Sequence, residues 1–120
     1  MVEGCMNISY FEDKYGKREK TYRRSYYIDN NLLTEYEKLS KIYLAKMPNF
    51  INDSVKALIK SEHIDIYGRD KNELSIKYTV LMRESVLNGL TDLSQRYGIS
   101  MSKLVNIALR NMLIEHNNSC

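Results

Sequence analysis

Two short segments of the sequence carry side chains suited to molecular recognition at every second position. These are Arg23, Ser25 and Tyr27 in the first segment and Lys77, Thr79 and Leu81 in the second. In an extended chain alternate residues point to the same side, so each set would form one face of a strand. The guanidinium and ammonium groups donate hydrogen bonds, the hydroxyls donate and accept, and leucine makes apolar contacts. This chemistry suits binding rather than bond breaking.

The most basic stretch of the sequence overlaps the first of these segments. Residues 14–24 contain a single acid, Glu19, among six cations, which are Lys14, Lys17, Arg18, Lys20, Arg23 and Arg24. One interpretation is a solvated arm with no binding role. The other is an arm that contacts phosphate groups, and the pattern alone leaves both open.

Residue types that carry catalysis or bind metals do not form a pattern. There is no nucleophile with a base, no glycine-rich phosphate loop and no pair of catalytic carboxylates. His63 and His116 are isolated from each other and from Cys5 and Cys120, which disfavours a metal site. The cysteines are typical of reduced cytosolic thiols, with a bridge between them as an alternative. We expect no enzymatic activity, no cofactor and no metal.

Composition restricts the class of protein. A chain of 120 residues with 43% hydrophobic residues can form one compact core, so we expect a single domain. The net charge of +3 gives nucleic-acid binding little support on its own. No apolar run long enough for a membrane span and no apolar leader after Met1 occur, which predicts a cytoplasmic location and no membrane partner.

The second recognition segment lies in a strand that is followed by two helices. Residues 75–82 alternate between apolar and mostly polar positions, which predicts a strand. From Val86 the apolar residues recur at spacings of three and four, which predicts an amphipathic helix that ends at Gly98. Ser100 is a suitable N-cap for another amphipathic helix, whose apolar stripe reaches Leu113.

The same pattern occurs earlier in the chain at a constant displacement. Leu32 corresponds to Val86 and Tyr43 corresponds to Tyr97, a displacement of 54 residues in both cases. The register continues forward through the second helix without a gap. Carried backward, it predicts a first strand over residues 22–28. A repeat held through a strand and two helices indicates two copies of one structural unit.

The copies differ at three positions that affect local structure. Asp29 is a good N-cap for the first helix, whereas its counterpart Arg83 is not. Leu44 stands at the position of Gly98, so we expect the first inter-helix turn to differ in shape. Pro48 is acceptable in the first turn of a helix, because N–H groups there have no intrahelical partner.

Three motifs in the second copy carry a family resemblance. They are Glu84-Ser85-Val86-Leu87, Gly98-Ile99-Ser100 and Asn106-Ile107-Ala108-Leu109. Together with the strand, helix, helix order over residues 74–113, they resemble the ribbon-helix-helix superfamily of DNA-binding proteins, which contains the MetJ, Arc and CopG repressors. The motifs are most similar to those of CopG-type members.

The resemblance implies a mainly α fold with a two-stranded antiparallel β-ribbon, in which two ribbon-helix-helix copies form an intramolecular pseudo-dimer. The expected organisation is an N-terminal extension with a basic arm (1–20), a first copy (21–60), a linker (61–73) and a second copy (74–116), all in one compact domain. The ribbon would rest on the helices through Tyr26, Ile28, Tyr78, Val80 and Met82. Pairing of copies between chains, which gives a larger intertwined assembly, is the alternative.

The resemblance also implies a function, namely sequence-specific binding of double-stranded DNA by the ribbon in the major groove. The base-contacting residues would be Arg23, Ser25, Tyr27, Lys77, Thr79 and Leu81. The phosphate-contacting residues would be Asn49, Phe50, Ser102 and Lys103 at the helix starts and Lys17, Arg18 and Lys20 in the arm. We expect a transcriptional repressor or a plasmid maintenance or transfer accessory factor, with possible self-association along DNA. Because the strands differ, its site should be poorly palindromic.

A second hypothesis is a protein-interaction module, either an antitoxin or a nucleoprotein scaffold. The N-terminal extension would then be the partner site. Only a short tail follows Leu113, which disfavours a toxin-binding segment there. No small-molecule substrate is expected in either case.

Overall fold

The computed structural model describes residues 19–65 and 73–119. Most of the predicted N-terminal extension, including Lys17 and Arg18, lies outside the described residues, as does the middle of the predicted linker. Six elements follow in order: β1 (Thr21–Asp29), α1 (Asn30–Tyr43), α2 (Met47–Ser61), β2 (Ser75–Arg83), α3 (Glu84–Tyr97) and α4 (Met101–Ser119). Within the described ranges no helix has the length and apolar content of a membrane span.

β1 and β2 pair with each other in an antiparallel two-stranded sheet, called the ribbon below. Over the described residues the fold is therefore mainly helical with a two-stranded antiparallel ribbon, which confirms this part of the expected fold class. The pairing runs from Thr21 opposite Arg83 to Asp29 opposite Ser75. Ser25 lies opposite Thr79, so residues separated by the repeat displacement face each other at the centre. The register is therefore symmetric about this pair, and a local two-fold axis of the ribbon passes between the two residues.

The inner face of the ribbon packs on the helices. Tyr26, Ile28, Val80 and Met82 are buried in one core with apolar residues of all four helices, and Tyr78 is half-buried against it. Arg24 falls on the inner parity of β1 but is exposed. Its guanidinium donates to the Arg23 carbonyl at 2.9 Å and lies 5.5 Å from the centre of the Tyr22 ring.

The second helix of each copy packs on the strand of the other copy, α2 on β2 and α4 on β1. α2 and α4 also contact each other across the core, where Ser54 of α2 and Ala108 of α4 are both buried. The Tyr36 hydroxyl of α1 donates to the Leu109 carbonyl at 2.9 Å and lies 3.2 Å from Ser54 Oγ. Burial raises the pKa of Tyr36 to about 12.

The starts of α1 and α3 are capped by the segment that precedes the opposite strand. The N–H groups of Asn30 and Glu84 donate to the carbonyls of Leu74 and Lys20 at 2.8 and 2.9 Å. In the next position, the N–H groups of Asn31 and Ser85 donate to the carboxylates of Glu73 and Glu19 at 3.3 and 2.7 Å. Asp29 occupies the N-cap position of α1, as predicted, but its side chain makes no cap hydrogen bond there.

The two inter-helix turns have the same backbone conformation. Leu44 has φ 53° and ψ 38°, and Gly98 has φ 64° and ψ 33°, both in the left-handed region. The N–H groups that follow, of Ala45 and Ile99, donate to the carbonyls of Ser40 and Ser94. The expected difference in turn shape is therefore wrong, and leucine adopts a conformation that favours glycine. Pro48 lies in the first turn of α2, as predicted.

Candidate functional site

The outer face of the ribbon brings together all six predicted base-contacting residues. They form three cross-strand pairs, Arg23 with Leu81, Ser25 with Thr79, and Tyr27 with Lys77. All six side chains are exposed. The pairs form because the strands are antiparallel and because the displacement of 54 residues places equivalent positions about the local two-fold axis. The result is one continuous, mostly polar face on the side opposite the core.

The centre of this face is a pair of hydroxyls. Ser25 Oγ and Thr79 Oγ1 lie 2.7 Å apart and share a hydrogen bond in which either can donate. Two hydroxyls carry two hydrogens, and this bond uses one of them. The central pair can therefore offer one donor to a ligand at a time, together with acceptor lone pairs from both oxygens.

The two ends of the face have similar chemistry with different residues. One end pairs the guanidinium of Arg23 with Leu81, which is 49% exposed. The other end pairs the ammonium of Lys77 with Tyr27, which is 58% exposed. Each end therefore presents one cation beside one large side chain with apolar surface. Arginine has a planar fork of donors and lysine a single flexible charge, so the ends are unequal in geometric selectivity.

Two asparagines hold the outer edges of the ribbon. Asn106 Nδ2 donates to the Tyr27 carbonyl at 2.9 Å, and Asn106 Oδ1 accepts from the Asp29 N–H at 2.8 Å. Asn52 makes the equivalent bonds to β2, with the Leu81 carbonyl at 3.0 Å and the Arg83 N–H at 2.9 Å. Each asparagine occupies the groups that an additional strand would need. The motif residue Asn106 thus fixes the position of the ribbon on α4.

The start of α4 lies directly beside β1. The Tyr27 N–H donates to Ser102 Oγ at 3.0 Å, and the Lys103 N–H donates to the Ser100 side chain at 3.2 Å. Lys103 itself is exposed. The positive end of the α4 dipole, the Ser102 hydroxyl and the Lys103 ammonium therefore lie along one edge of the ribbon, where they can attract an anion.

The start of α2 lies beside β2 and is less well equipped for an anion. The N–H groups of Asn49 and Phe50 both donate to the Lys46 carbonyl, at 3.1 and 3.3 Å. Pro48 has no N–H to donate. Asn49 and Lys46 keep exposed side chains, whereas Phe50 is half-buried. Of the two predicted phosphate-contacting residues here, Asn49 has the more accessible polar group.

Among the residues predicted for the arm, Lys20 is the one described. Its side chain is exposed and its carbonyl caps α3, so it lies at the end of the ribbon occupied by Tyr22 and Arg83. Sequence reasoning missed the capping role of Glu19 and Glu73. They are separated by the repeat displacement, so the repeat carried a few residues further back would have indicated them. The N–H of Ser85 and the nearby Arg83 lower the pKa of Glu19.

No protein-family model, curated protein or solved structure matches the chain.

Proposed function

We propose that the chain is a tandem ribbon-helix-helix protein that binds double-stranded DNA sequence-specifically, with its ribbon in the major groove. The observation that carries the proposal is the set of three exposed cross-strand pairs arranged about a local two-fold axis. A two-stranded ribbon is narrow enough for the major groove, where each base pair has a distinct pattern of donors and acceptors. In this proposal the two copies form a pseudo-dimer within one chain.

The side chains of the outer face suit the atoms that base edges present. Arg23 can donate two hydrogen bonds to the O6 and N7 atoms of a guanine, and Lys77 can donate to the same acceptors. The central hydroxyl pair can donate to or accept from either type of base. Leu81 can pack against a thymine methyl group, and the Tyr27 ring offers similar apolar surface. Each good base contact discriminates by about 1–3 kcal/mol.

The edges of the ribbon suit the phosphates on either side of the groove. The start of α4 contributes a helix dipole, Ser102 and Lys103 on one edge, and the start of α2 contributes Lys46 and Asn49 on the other. Phosphate contacts fix the orientation of a protein on DNA, while base contacts give specificity. Because Pro48 has no N–H to donate, we propose that the start of α2 binds its phosphate less tightly than the start of α4 does.

We propose as the biological role either a transcriptional repressor or a plasmid maintenance or transfer accessory factor, because both need occupation of a defined DNA site. The resemblance to the MetJ, Arc and CopG group supports this choice. The outer face of the ribbon supports DNA recognition but does not distinguish between the two roles.

Selection of duplexes from a random pool, followed by mobility-shift titration, tests the proposal. We expect the selected duplex to bind about a thousandfold more tightly than a scrambled duplex at physiological salt. Equal affinity for the two duplexes would contradict base recognition. No detectable binding to either duplex at low salt would contradict DNA binding altogether.

A further inference from the structure

The turn between α1 and α2 exposes three consecutive large apolar side chains, called the apolar tip below. Ile42, Tyr43 and Leu44 are 69, 58 and 91% exposed. Fifty-four residues later, the equivalent positions hold Arg96, Tyr97 and Gly98. The two turns share one backbone conformation, so the second is an internal control for the first.

Folding of the chain does not account for Leu44. A non-glycine residue in the left-handed region is destabilised by about 1 kcal/mol relative to glycine. Its side chain gains nothing by burial to offset this, because it is almost wholly in water. Residues held in unfavourable backbone regions are concentrated at functional sites. The leucine therefore points to a contact with another molecule.

The charges around the two turns are of opposite sign. Lys41 and Lys46 flank the apolar tip and are exposed. At the other turn, Arg96 is shared by two carboxylates, Asp92 at 2.8 Å and Glu62 at 3.1 Å. Two carboxylates and one guanidinium leave this cluster with a net negative charge. The guanidinium and the Tyr97 hydroxyl lower the pKa of Glu62.

The two turns also differ in the size of the side chains that they project. Leu44 projects from the apolar tip, whereas a Cβ added at Gly98 would meet no atom within 4 Å. Tyr97, which is 46% exposed, supplies an aromatic surface beside this open space. The second turn, with Glu62, Asp92, Tyr97 and Gly98, is called the acidic end below.

We propose that the apolar tip of one chain binds the acidic end of a second copy of the same chain. The two surfaces lie on opposite sides of the local two-fold axis, so this contact is head-to-tail. A head-to-tail contact that does not close into a ring produces an open array. The proposal does not depend on DNA binding, because it involves neither the outer face of the ribbon nor the helix starts.

Sedimentation velocity on the full chain over a wide concentration range tests the proposal. We expect the mass of the wild type to rise continuously with concentration and to fall when salt is added. Leu44→Gly should weaken association by roughly tenfold or more, because it removes a buried leucine side chain from the contact. It should also raise the thermal midpoint, so that loss of association cannot come from unfolding. Leu74→Ala, at another exposed leucine, should leave association unchanged.

A mixing experiment tests the head-to-tail geometry. Asp92→Lys makes the acidic end positive, so at a concentration where the wild type has begun to associate this variant and Leu44→Gly should each remain single chains. Their mixture should form a dimer and nothing larger, because each variant retains one working surface. The proposal is overturned if wild-type mass does not change with concentration, if Asp92→Lys associates like the wild type, or if the mixture stays at the mass of one chain.

Discussion

Ser25 and Thr79 are equivalent residues of the two copies, and their hydroxyls are hydrogen-bonded to each other at 2.7 Å. Every other pair on the outer face is arranged around this bond, so that Arg23 and Lys77 occupy equivalent places at opposite ends. The face is thus two-fold in layout and unequal in composition. A DNA site that matches this face should likewise have two half-sites in a two-fold arrangement with different sequences.

We expect the preferred duplex to contain two related but unlike half-sites. The half contacted by Arg23 should require guanine more strictly than the half contacted by Lys77, because arginine makes a bidentate contact. Perfect palindromes built from two copies of either half-site should bind about tenfold more weakly than the preferred duplex, which contains one of each. The Lys77→Arg variant should shift preference toward the palindrome of the Arg23 half. Competition mobility shifts measure these ratios, and equal binding of all three duplexes by the wild type would contradict the asymmetry.

Changes on the ribbon and at the start of α4 should have different effects on DNA binding. Lys77→Ala with Thr79→Ala should reduce the ratio of specific to non-specific affinity, because base contacts are lost. Lys103→Ala should weaken binding to all sequences and reduce the salt slope by about one. Lys60→Ala, near the C-terminal end of α2, is the matched control and should change neither quantity. Normal specificity in the strand double variant would show that the outer face does not read bases.

Removal of an edge asparagine should destabilise the fold. Asn52→Ala leaves the Leu81 carbonyl and the Arg83 N–H without their side-chain partner, and Asn106→Ala does the same for Tyr27 and Asp29. We expect a loss of about 1–3 kcal/mol in the free energy of unfolding for each variant. Asn49→Ala, on an exposed position of α2, should cost far less. Urea titration measures all three, and an unchanged midpoint in both edge variants would contradict this role.

Removal of the hydroxyl from two core tyrosines should affect the free energy of unfolding differently. Tyr36→Phe should lower the free energy of unfolding by about 1–3 kcal/mol, because the Ser54 hydroxyl and the Leu109 carbonyl each lose a buried hydrogen bond. Among the described residues, the buried Tyr26 hydroxyl has no hydrogen-bond partner. Tyr26→Phe should therefore be neutral or slightly stabilising. Urea midpoints of the two variants test this, and a comparable loss in both would reveal an unseen partner of Tyr26.

Acid should remove the contribution of Glu62 to stability. Hydrogen bonds from Arg96 and Tyr97 lower its pKa in the folded protein. A carboxyl with a lowered folded pKa stabilises fully above its unfolded pKa and progressively less as pH falls through the folded value. The stability difference between wild type and Glu62→Gln should thus be largest near neutral pH and shrink below about pH 4. Unfolding titrations at several pH values measure it, and a constant difference would contradict the prediction.

The repeat made the strands and their faces predictable from sequence. The displacement that aligned Leu32 with Val86 also located β1, and strand alternation then assigned the inner and outer sides. These two rules depend only on covalent geometry and on the burial of apolar side chains. The positions of Arg23 and Lys77 at opposite ends followed from antiparallel pairing.

Contacts between copies were harder to predict. Asp29 is a favoured N-cap residue, but an antiparallel ribbon brings the segment that enters one strand beside the helix that leaves the other. Glu19 and Glu73 therefore cap helices of the opposite copy, which local propensity cannot reveal. The turn at Leu44 differs from the expectation for a related reason, because the packing of α1 and α2 keeps the left-handed backbone conformation even though leucine is unfavourable in it.

The pairing of β1 with β2 inside one polypeptide also affects how the recognition face can change over time. In a symmetric homodimer a single codon change alters both strands at once, so each new contact appears twice. Here a substitution at Lys77 leaves Arg23 unchanged, so the residues at each end of the ribbon can be substituted independently. Such a protein can acquire specificity for an asymmetric DNA site through single substitutions, without an intermediate that has lost its contacts to both half-sites.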